Sequence, residues 1–133
     1  MRIRLFEQTL RYRLSPEEVQ QLRQTGTVAA TTWCGPVQCQ YAIMAHDGVK
    51  DVELIADKNC FYVTLPVGRM QRWADEPATD RLRAVIPGGA HHPDLLLLIE
   101  KDLGCAHGAG PSGEADATEV PPPAAAGDRA PTD

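Results

Sequence analysis

Cationic and apolar residues alternate twice near the start of the chain. Arg2 and Arg4 alternate with apolar residues in the first run, and Arg11 and Arg13 do so in the second. A period of two residues is typical of strands with one buried face, because successive side chains point to opposite faces. The polar interval at residues 7–9 predicts that the two strands form a hairpin. Such a hairpin would place four arginines on one face and its apolar side chains in a core.

A helix start follows the second run directly. Ser15 is a suitable N-cap, Pro16 fits the first helical turn, and the side chain of Glu18 can accept a hydrogen bond from the backbone N–H of the cap. Gly26 suits the position just after a helix. The sequence therefore predicts a short helix that stops at Gly26.

The rest of the first hundred residues predicts two more hairpins, a second helix and two further strands. A shift of 51 positions places apolar residues of segment 10–22 on apolar residues of segment 61–73, which suggests an internal repeat or a chance likeness of apolar character. The fold class is α+β: an antiparallel sheet built from hairpins, with two short helices on one face. The predicted elements are strands at 27–33, 37–45, 52–56, 61–65, 82–86 and 95–99, and a helix opened by Pro66.

The end of the chain has a different composition. From Ala106 onward Ala, Gly and Pro dominate, and no aromatic residue occurs. Such a segment cannot bury enough apolar surface to offset the entropy lost on ordering. We therefore expect a single α+β domain at residues 1–105 and a disordered, acidic, Ala/Pro/Gly-rich tail at residues 106–133. Five acidic residues against Arg129 put most of the net charge of −5 in this tail.

Charge and hydropathy argue against two functional classes for the domain. With the tail set apart the domain is nearly neutral, so we expect no general nucleic-acid binding, which needs a large basic surface. The longest aliphatic run, residues 95–99, has five residues, whereas a membrane-spanning helix needs roughly 20. The first residues also lack the continuous apolar segment of a secretory signal. The sequence predicts a cytoplasmic protein without a membrane span.

The arginines of the predicted hairpin are the main candidate site. Like charges opposite one another across a sheet are unfavourable, so we expect either acidic neighbours, for which Glu53, Glu100 and Asp102 are candidates, or a bound anion. Guanidinium groups bind carboxylates and phosphates through paired hydrogen bonds. The sequence thus predicts a binding module for an anionic ligand or an acidic partner protein, with an ion-paired, solvated surface as the alternative. The predicted binding residues are Arg2, Arg4, Arg11 and Arg13.

A metal or thiol-redox site is one alternative function. Cys34 begins a segment that is similar to a thioredoxin motif, but four residues separate it from Cys39, where that motif has two. No Cys or His pair has the spacing of a structural zinc finger, and we predict no cofactor. In a cytoplasmic protein the four cysteines would be reduced. The other candidate ligands are Cys60, Cys105, His46, His91, His92 and His107.

An enzyme is the second alternative. Glu100, Lys101 and Asp102 follow an apolar strand and could form a charged site, although charged residues are also usual where a buried strand reaches solvent. The sequence contains no nucleophile elbow, no phosphate-binding Gly-rich loop, and no His paired with Ser or Cys beside an orienting acid. We therefore expect a protein that binds rather than catalyses.

The two ends of the domain resemble a family of small uncharacterised bacterial proteins. The resemblance is carried by the alternating arginines of residues 2–4 and 10–15 and by the segment 98–105, which contains Glu-Lys-Asp and then Cys105. The family pattern has Phe where this chain has Leu103. The resemblance implies a compact, independent protein and assigns no reaction, ligand or site residue.

Overall fold

The computed structural model describes residues 1–102, which form eight strands and two helices. The elements are β1 (Arg2–Phe6), β2 (Thr9–Leu14), α1 (Pro16–Thr25), β3 (Thr27–Cys34), β4 (Val37–His46), β5 (Glu53–Asp57), β6 (Cys60–Pro66), α2 (Val67–Asp75), β7 (Arg81–Ile86) and β8 (Leu95–Lys101). The predicted α+β class is confirmed. Within this part of the chain no helix has the length and apolar character needed to cross a membrane. The predicted tail at 106–133 lies outside the described residues.

The predicted capping box defines the start of α1. The backbone N–H of Glu18 donates to Ser15 Oγ at 3.2 Å, and the backbone N–H of Ser15 donates to Glu18 Oε1 at 2.9 Å. Gly26 ends the helix with a φ of 80°, a left-handed conformation that favours glycine. This helix is therefore specified by local sequence at both ends.

The strands form two four-stranded sheets. The first sheet has the order β1-β2-β8-β7 and the second has the order β3-β4-β6-β5. Antiparallel hairpins are formed by β1 with β2, β3 with β4, β5 with β6 and β7 with β8, and the alternating patterns predict the first three of them. The two central pairs, β2 with β8 and β4 with β6, are parallel. The four hairpins are thus distributed over two mixed sheets, because each hairpin pairs one of its edges with a hairpin distant in sequence.

The order β-β-α-β-β occurs twice along the chain. β1 begins at Arg2 and β5 at Glu53, and the same spacing of 51 positions separates β2 from β6 and α1 from α2. The apolar similarity in the sequence therefore corresponds to a structural repeat. Each sheet combines the first hairpin of one repeat with the second hairpin of the other.

Both sheets and both helices contribute to one hydrophobic core. Tyr12 is a fully buried member of this core, and its hydroxyl donates a hydrogen bond to the carbonyl oxygen of Phe61 at 2.8 Å. This bond links β2 of the first sheet to β6 of the second. Burial raises the pKa of the Tyr12 hydroxyl well above its ordinary value. The core thus fixes the first sheet with one face inward and leaves its other face to carry the candidate site.

Candidate functional site

The register of the first hairpin brings its four arginines together. Arg2 lies opposite Arg13, and Arg4 lies opposite Arg11. Directly opposite residues share one face of a sheet, so all four side chains leave the outer face. The alternate position Tyr12 points into the core. The alternation in the sequence and the burial of the apolar residues explain this arrangement.

Two more arginines join this surface from β7. Arg81 lies opposite Glu100 and Arg83 lies opposite Leu98 on β8, which is the neighbour of β2. Two rows therefore cross all four strands: Arg2, Arg13, Glu100 and Arg81 in the first, and Arg4, Arg11, Leu98 and Arg83 in the second. We call the surface formed by these eight residues the Arg face.

Sequence reasoning missed Arg81 and Arg83. Residues 81–84 read Arg-Leu-Arg-Ala, the same alternation of arginine and apolar residues that marks residues 2–5. That pattern would have predicted a strand with an arginine-bearing outer face. It would not have shown that this strand joins the first hairpin, because β8 connects the two only in the folded protein.

Glu100 is the acidic centre of the Arg face. It is only 4% exposed, and Arg81 Nε donates to its Oε2 at 2.8 Å. The guanidinium groups of Arg11 and Arg13 each lie 3.4 Å from its Oε1. A buried carboxylate is stable only when it is paired and hydrogen-bonded. Glu100 therefore offsets part of the repulsion among three arginines.

Arg2 pairs with Asp102 at 2.9 Å on the exposed rim of the Arg face. Glu100 and Asp102 are thus two of the acidic neighbours that the sequence suggested. The third, Glu53, lies on β5 of the second sheet. Six guanidinium groups share this surface with two carboxylates, so it keeps a clear excess of positive charge.

Arg4 and Arg83 have no ion-pair partner within residues 1–102. The guanidinium carbon of Arg4 lies 5.3 Å from the ring centroid of Phe6, and that of Arg11 lies 5.6 Å from it. Both distances are within the range of cation–π contacts. The ring of Phe6 thus supports two guanidinium groups without neutralising either.

Two depressions adjoin the arginines. One has a volume of about 230 Å³ and is lined by Arg2, Ile3, Arg4, Arg11 and Arg13. The other is an open cleft of about 640 Å³ between α2 and β7. Its lining residues are Arg69, Arg72, Trp73, Asp75, Glu76, Thr79, Arg81, Leu82 and Arg83. Arginines thus wall both depressions.

The predicted site at residues 100–102 does not converge in the structure. Glu100 and Lys101 are adjacent in a strand and leave opposite faces of the sheet. Lys101 Nζ donates to the carbonyl oxygens of Trp73 and Glu76, each at 2.8 Å, and lies 5.5 Å from the Trp73 ring. The ammonium group of Lys101 therefore binds the C-terminal end of α2 and lies on the opposite side of the sheet from Glu100.

The structure brings together two of the predicted metal or redox residues. The sulfur atoms of Cys34 and Cys39 lie 3.6 Å apart. Residues 1–102 contain no group of three or more His, Cys, Asp or Glu side chains arranged to hold a metal ion. Of the other candidates, His46, His91 and His92 are exposed, Cys60 is partly buried, and Cys105 and His107 lie outside the described residues.

Comparison with known families gives a match over most of the chain. Residues 1–122 match the model of a family of unknown function, DUF7009. The expected likeness to an uncharacterised family is thereby confirmed. No curated protein and no solved structure matches the chain.

Proposed function

The chain belongs to the family DUF7009, whose function is unknown, and we propose that it binds a multiply charged anion on the Arg face. The ligand would carry carboxylate or phosphate groups, which accept paired hydrogen bonds from guanidinium. One observation carries the proposal: six arginines occupy one face of a four-stranded sheet that offers one carboxylate, Glu100, with Asp102 just beyond the end of β8.

The structural repeat supplies an internal comparison for this surface. Residues 51 positions further along occupy the same places on β5 and β6 of the second sheet. Arg2, Arg4, Arg11 and Arg13 correspond to Glu53, Ile55, Tyr62 and Thr64. Since the second sheet forms without arginines there, the fold itself does not require them in the first sheet. Their concentration on one sheet supports a role in binding.

The arginines are also held in place before any ligand arrives. Glu100 fixes the guanidinium groups of Arg11, Arg13 and Arg81, and Phe6 supports that of Arg4. Groups that are ordered in advance lose less conformational entropy on binding. A preorganised positive surface therefore favours an anion over a neutral ligand.

Titration calorimetry of the full chain tests the proposal with three probes: tripolyphosphate, citrate and a hexaglutamate peptide. We expect binding of at least one probe, weaker at about 150 mM salt than at about 20 mM, because salt screens exposed charges. The preferred probe distinguishes a phosphate ligand from a small carboxylate or an acidic peptide. A DNA duplex serves as a fourth arm, for which we expect no binding at the higher salt concentration.

Substitution of the two arginines without ion-pair partners makes the test specific. The double variant Arg4→Gln with Arg83→Gln should weaken binding at least about tenfold, since hydrogen bonds to charged groups contribute about 1.5–3 kcal/mol each and 1.4 kcal/mol corresponds to tenfold. The matched control, Lys50→Gln with Lys58→Gln, removes the same charge outside the Arg face and should bind like the wild type. Equal losses in the two double variants, or no binding of any of the three anionic probes by the wild type, would overturn the proposal.

A further inference from the structure

Two cysteines in contact with each other lie at the end of the hairpin formed by β3 and β4. Cys34 lies opposite Val37, and Cys39 lies opposite Thr32. Positions 34 and 39 are therefore diagonal neighbours on the same face of the hairpin. Their sulfur atoms are 3.6 Å apart and in contact.

The hairpin end leaves this pair accessible. Gly35 has a φ of 64°, which glycine adopts readily, and with Pro36 it forms the tight turn that holds the two strands together. β6 pairs with β4 only from Gln40 onward, so the segment with the two thiols extends past the neighbouring strand. Cys34 is exposed and Cys39 is partly buried. A small reagent can therefore reach Cys34 first.

The contact between the two sulfur atoms places them close to the separation of a disulfide. A disulfide needs a sulfur separation of about 2.0 Å and Cβ atoms about 3.5–4.5 Å apart. The two thiols of this hairpin are already in contact on one face. Closing the remaining gap does not require the two strands to change their register.

We infer that Cys34 and Cys39 are a reversible dithiol–disulfide site that exchanges with a low-molecular-weight disulfide of the glutathione type. The thiolate of Cys34 attacks one sulfur of that disulfide, whose S–S bond breaks and releases one thiolate. Cys39 then gives its proton to solvent and attacks the Cys34 sulfur, which releases the second thiolate. Two protein thiols are oxidised to one disulfide, and one small disulfide is reduced to two thiols.

The division of roles follows from the surroundings of the two thiols. The hydrogen bond with Cys34 is the main cause that raises the pKa of the Cys39 thiol. Cys34 is exposed and meets the reagent first, and Cys39, whose sulfur is in contact with it, is placed for the second step. The site lies on the second sheet and is independent of the proposed anion binding on the first.

The positions of basic residues allow a direct assay. Trypsin cuts after Arg23 and Lys50 and at no site between them, so Cys34 and Cys39 share the peptide 24–50. Cys60 and Cys105 fall in two other peptides, 59–69 and 102–129. The reduced full chain is incubated with oxidised glutathione, alkylated under denaturing conditions and digested. Mass spectrometry then reads the state of each cysteine.

We expect the peptide 24–50 to appear without alkyl groups and about 2 Da lighter than its reduced form, because an internal disulfide replaces two thiols. This product should exceed any disulfide that includes Cys60 or Cys105 by at least about tenfold, since the sulfur atoms are held in contact. In Cys39→Ser, Cys34 should instead retain glutathione as a stable mixed disulfide.

Cys60→Ser is the matched control, because it removes a partly buried cysteine of the same sheet and should leave the product in peptide 24–50 unchanged. If the wild-type peptide carries two alkyl groups, or two glutathione groups, after the same treatment, the inference is wrong. Predominant disulfides to Cys60 or Cys105 would also overturn it.

Discussion

Glu100 shows how a single residue can both support the Arg face and limit it. Its carboxylate is buried and shared by Arg11, Arg13 and Arg81. The strand register brings the three guanidinium groups together, and this carboxylate offsets their repulsion. The same carboxylate lowers the positive charge that an anionic ligand would meet. Fold stability and ligand affinity therefore depend on Glu100 in opposite directions.

Glu100→Gln should accordingly separate the two properties. We expect the free energy of unfolding, measured with urea at low salt, to fall by about 2 kcal/mol, because three partly exposed arginines lose a buried counterion. Affinity for the anionic probe should rise, since we expect the gain of one net positive charge on the Arg face to outweigh the loss of the order that Glu100 gives three of its arginines. The control Glu53→Gln makes the same chemical change on the second sheet and should alter both quantities little. A destabilised variant with weaker anion binding would contradict the proposed site.

The sequence predicts that arginines share one face only where their strands are consecutive in the chain. Arg4 and Arg11 belong to strands joined by a short turn, so the alternating pattern alone places them on one face. Arg83 reaches the same surface through β8. The sequence gives no local signal for that connection, and it does not show that Glu100 lies at the centre of the group. The candidate site was therefore predicted in part.

Among the elements, α1 was the most predictable because its limits are set by residues in contact with each other. Ser15 and Glu18 exchange hydrogen bonds three positions apart, and Gly26 ends the helix. The N-cap of α2 is Pro66, which supplies no side-chain acceptor for the first turn of that helix. The first helix therefore depends on its cap more than the second does.

Ser15→Ala should reduce the free energy of unfolding by about 1 kcal/mol, the usual contribution of an N-cap side chain. Urea unfolding of the full chain measures this loss. Ser15→Asp keeps an oxygen acceptor at the same position and should recover most of the stability. Equal loss in the two variants would show that the cap contributes through its size and not through its hydrogen bond.

The parallel strand pairs mark the limit of prediction for the elements. Alternation and a short turn predict the first three hairpins, whereas β7 and β8 are predicted only as strands separated by a loop. The pairing of β2 with β8 joins Leu10 to Leu97, and no feature of either strand selects the other. That choice depends on how apolar faces fill a shared core. The local patterns therefore do not show whether the strands form a single sheet or two sheets.

At the scale of the whole molecule, Tyr12 connects the two sheets through its bond to Phe61. Below the ordinary tyrosine pKa of about 10, Tyr12→Phe should lower the free energy of unfolding by about 1 kcal/mol. Burial raises the pKa of this hydroxyl in the folded protein, so at higher pH it ionises first in the unfolded chain. The stability due to the hydroxyl is thus complete below pH 10 and is lost progressively above it.

Unfolding curves of the wild type and Tyr12→Phe between about pH 8 and pH 11 test this linkage. The difference in stability between the two proteins should shrink as the pH rises above 10. A constant difference over the whole range would show that the hydroxyl titrates alike in the folded and unfolded states.

The exchange of hairpins between the two repeats has a consequence for how the protein holds together. Half of this chain carries one hairpin for each sheet and can complete neither sheet alone. Two separate halves would have to find each other in solution, and their assembly would depend on concentration. The covalent connection between β4 and β5 keeps both halves permanently at a high effective concentration. One polypeptide thereby achieves, at any dilution, an interlocked arrangement that unlinked halves would reach only by dimerising.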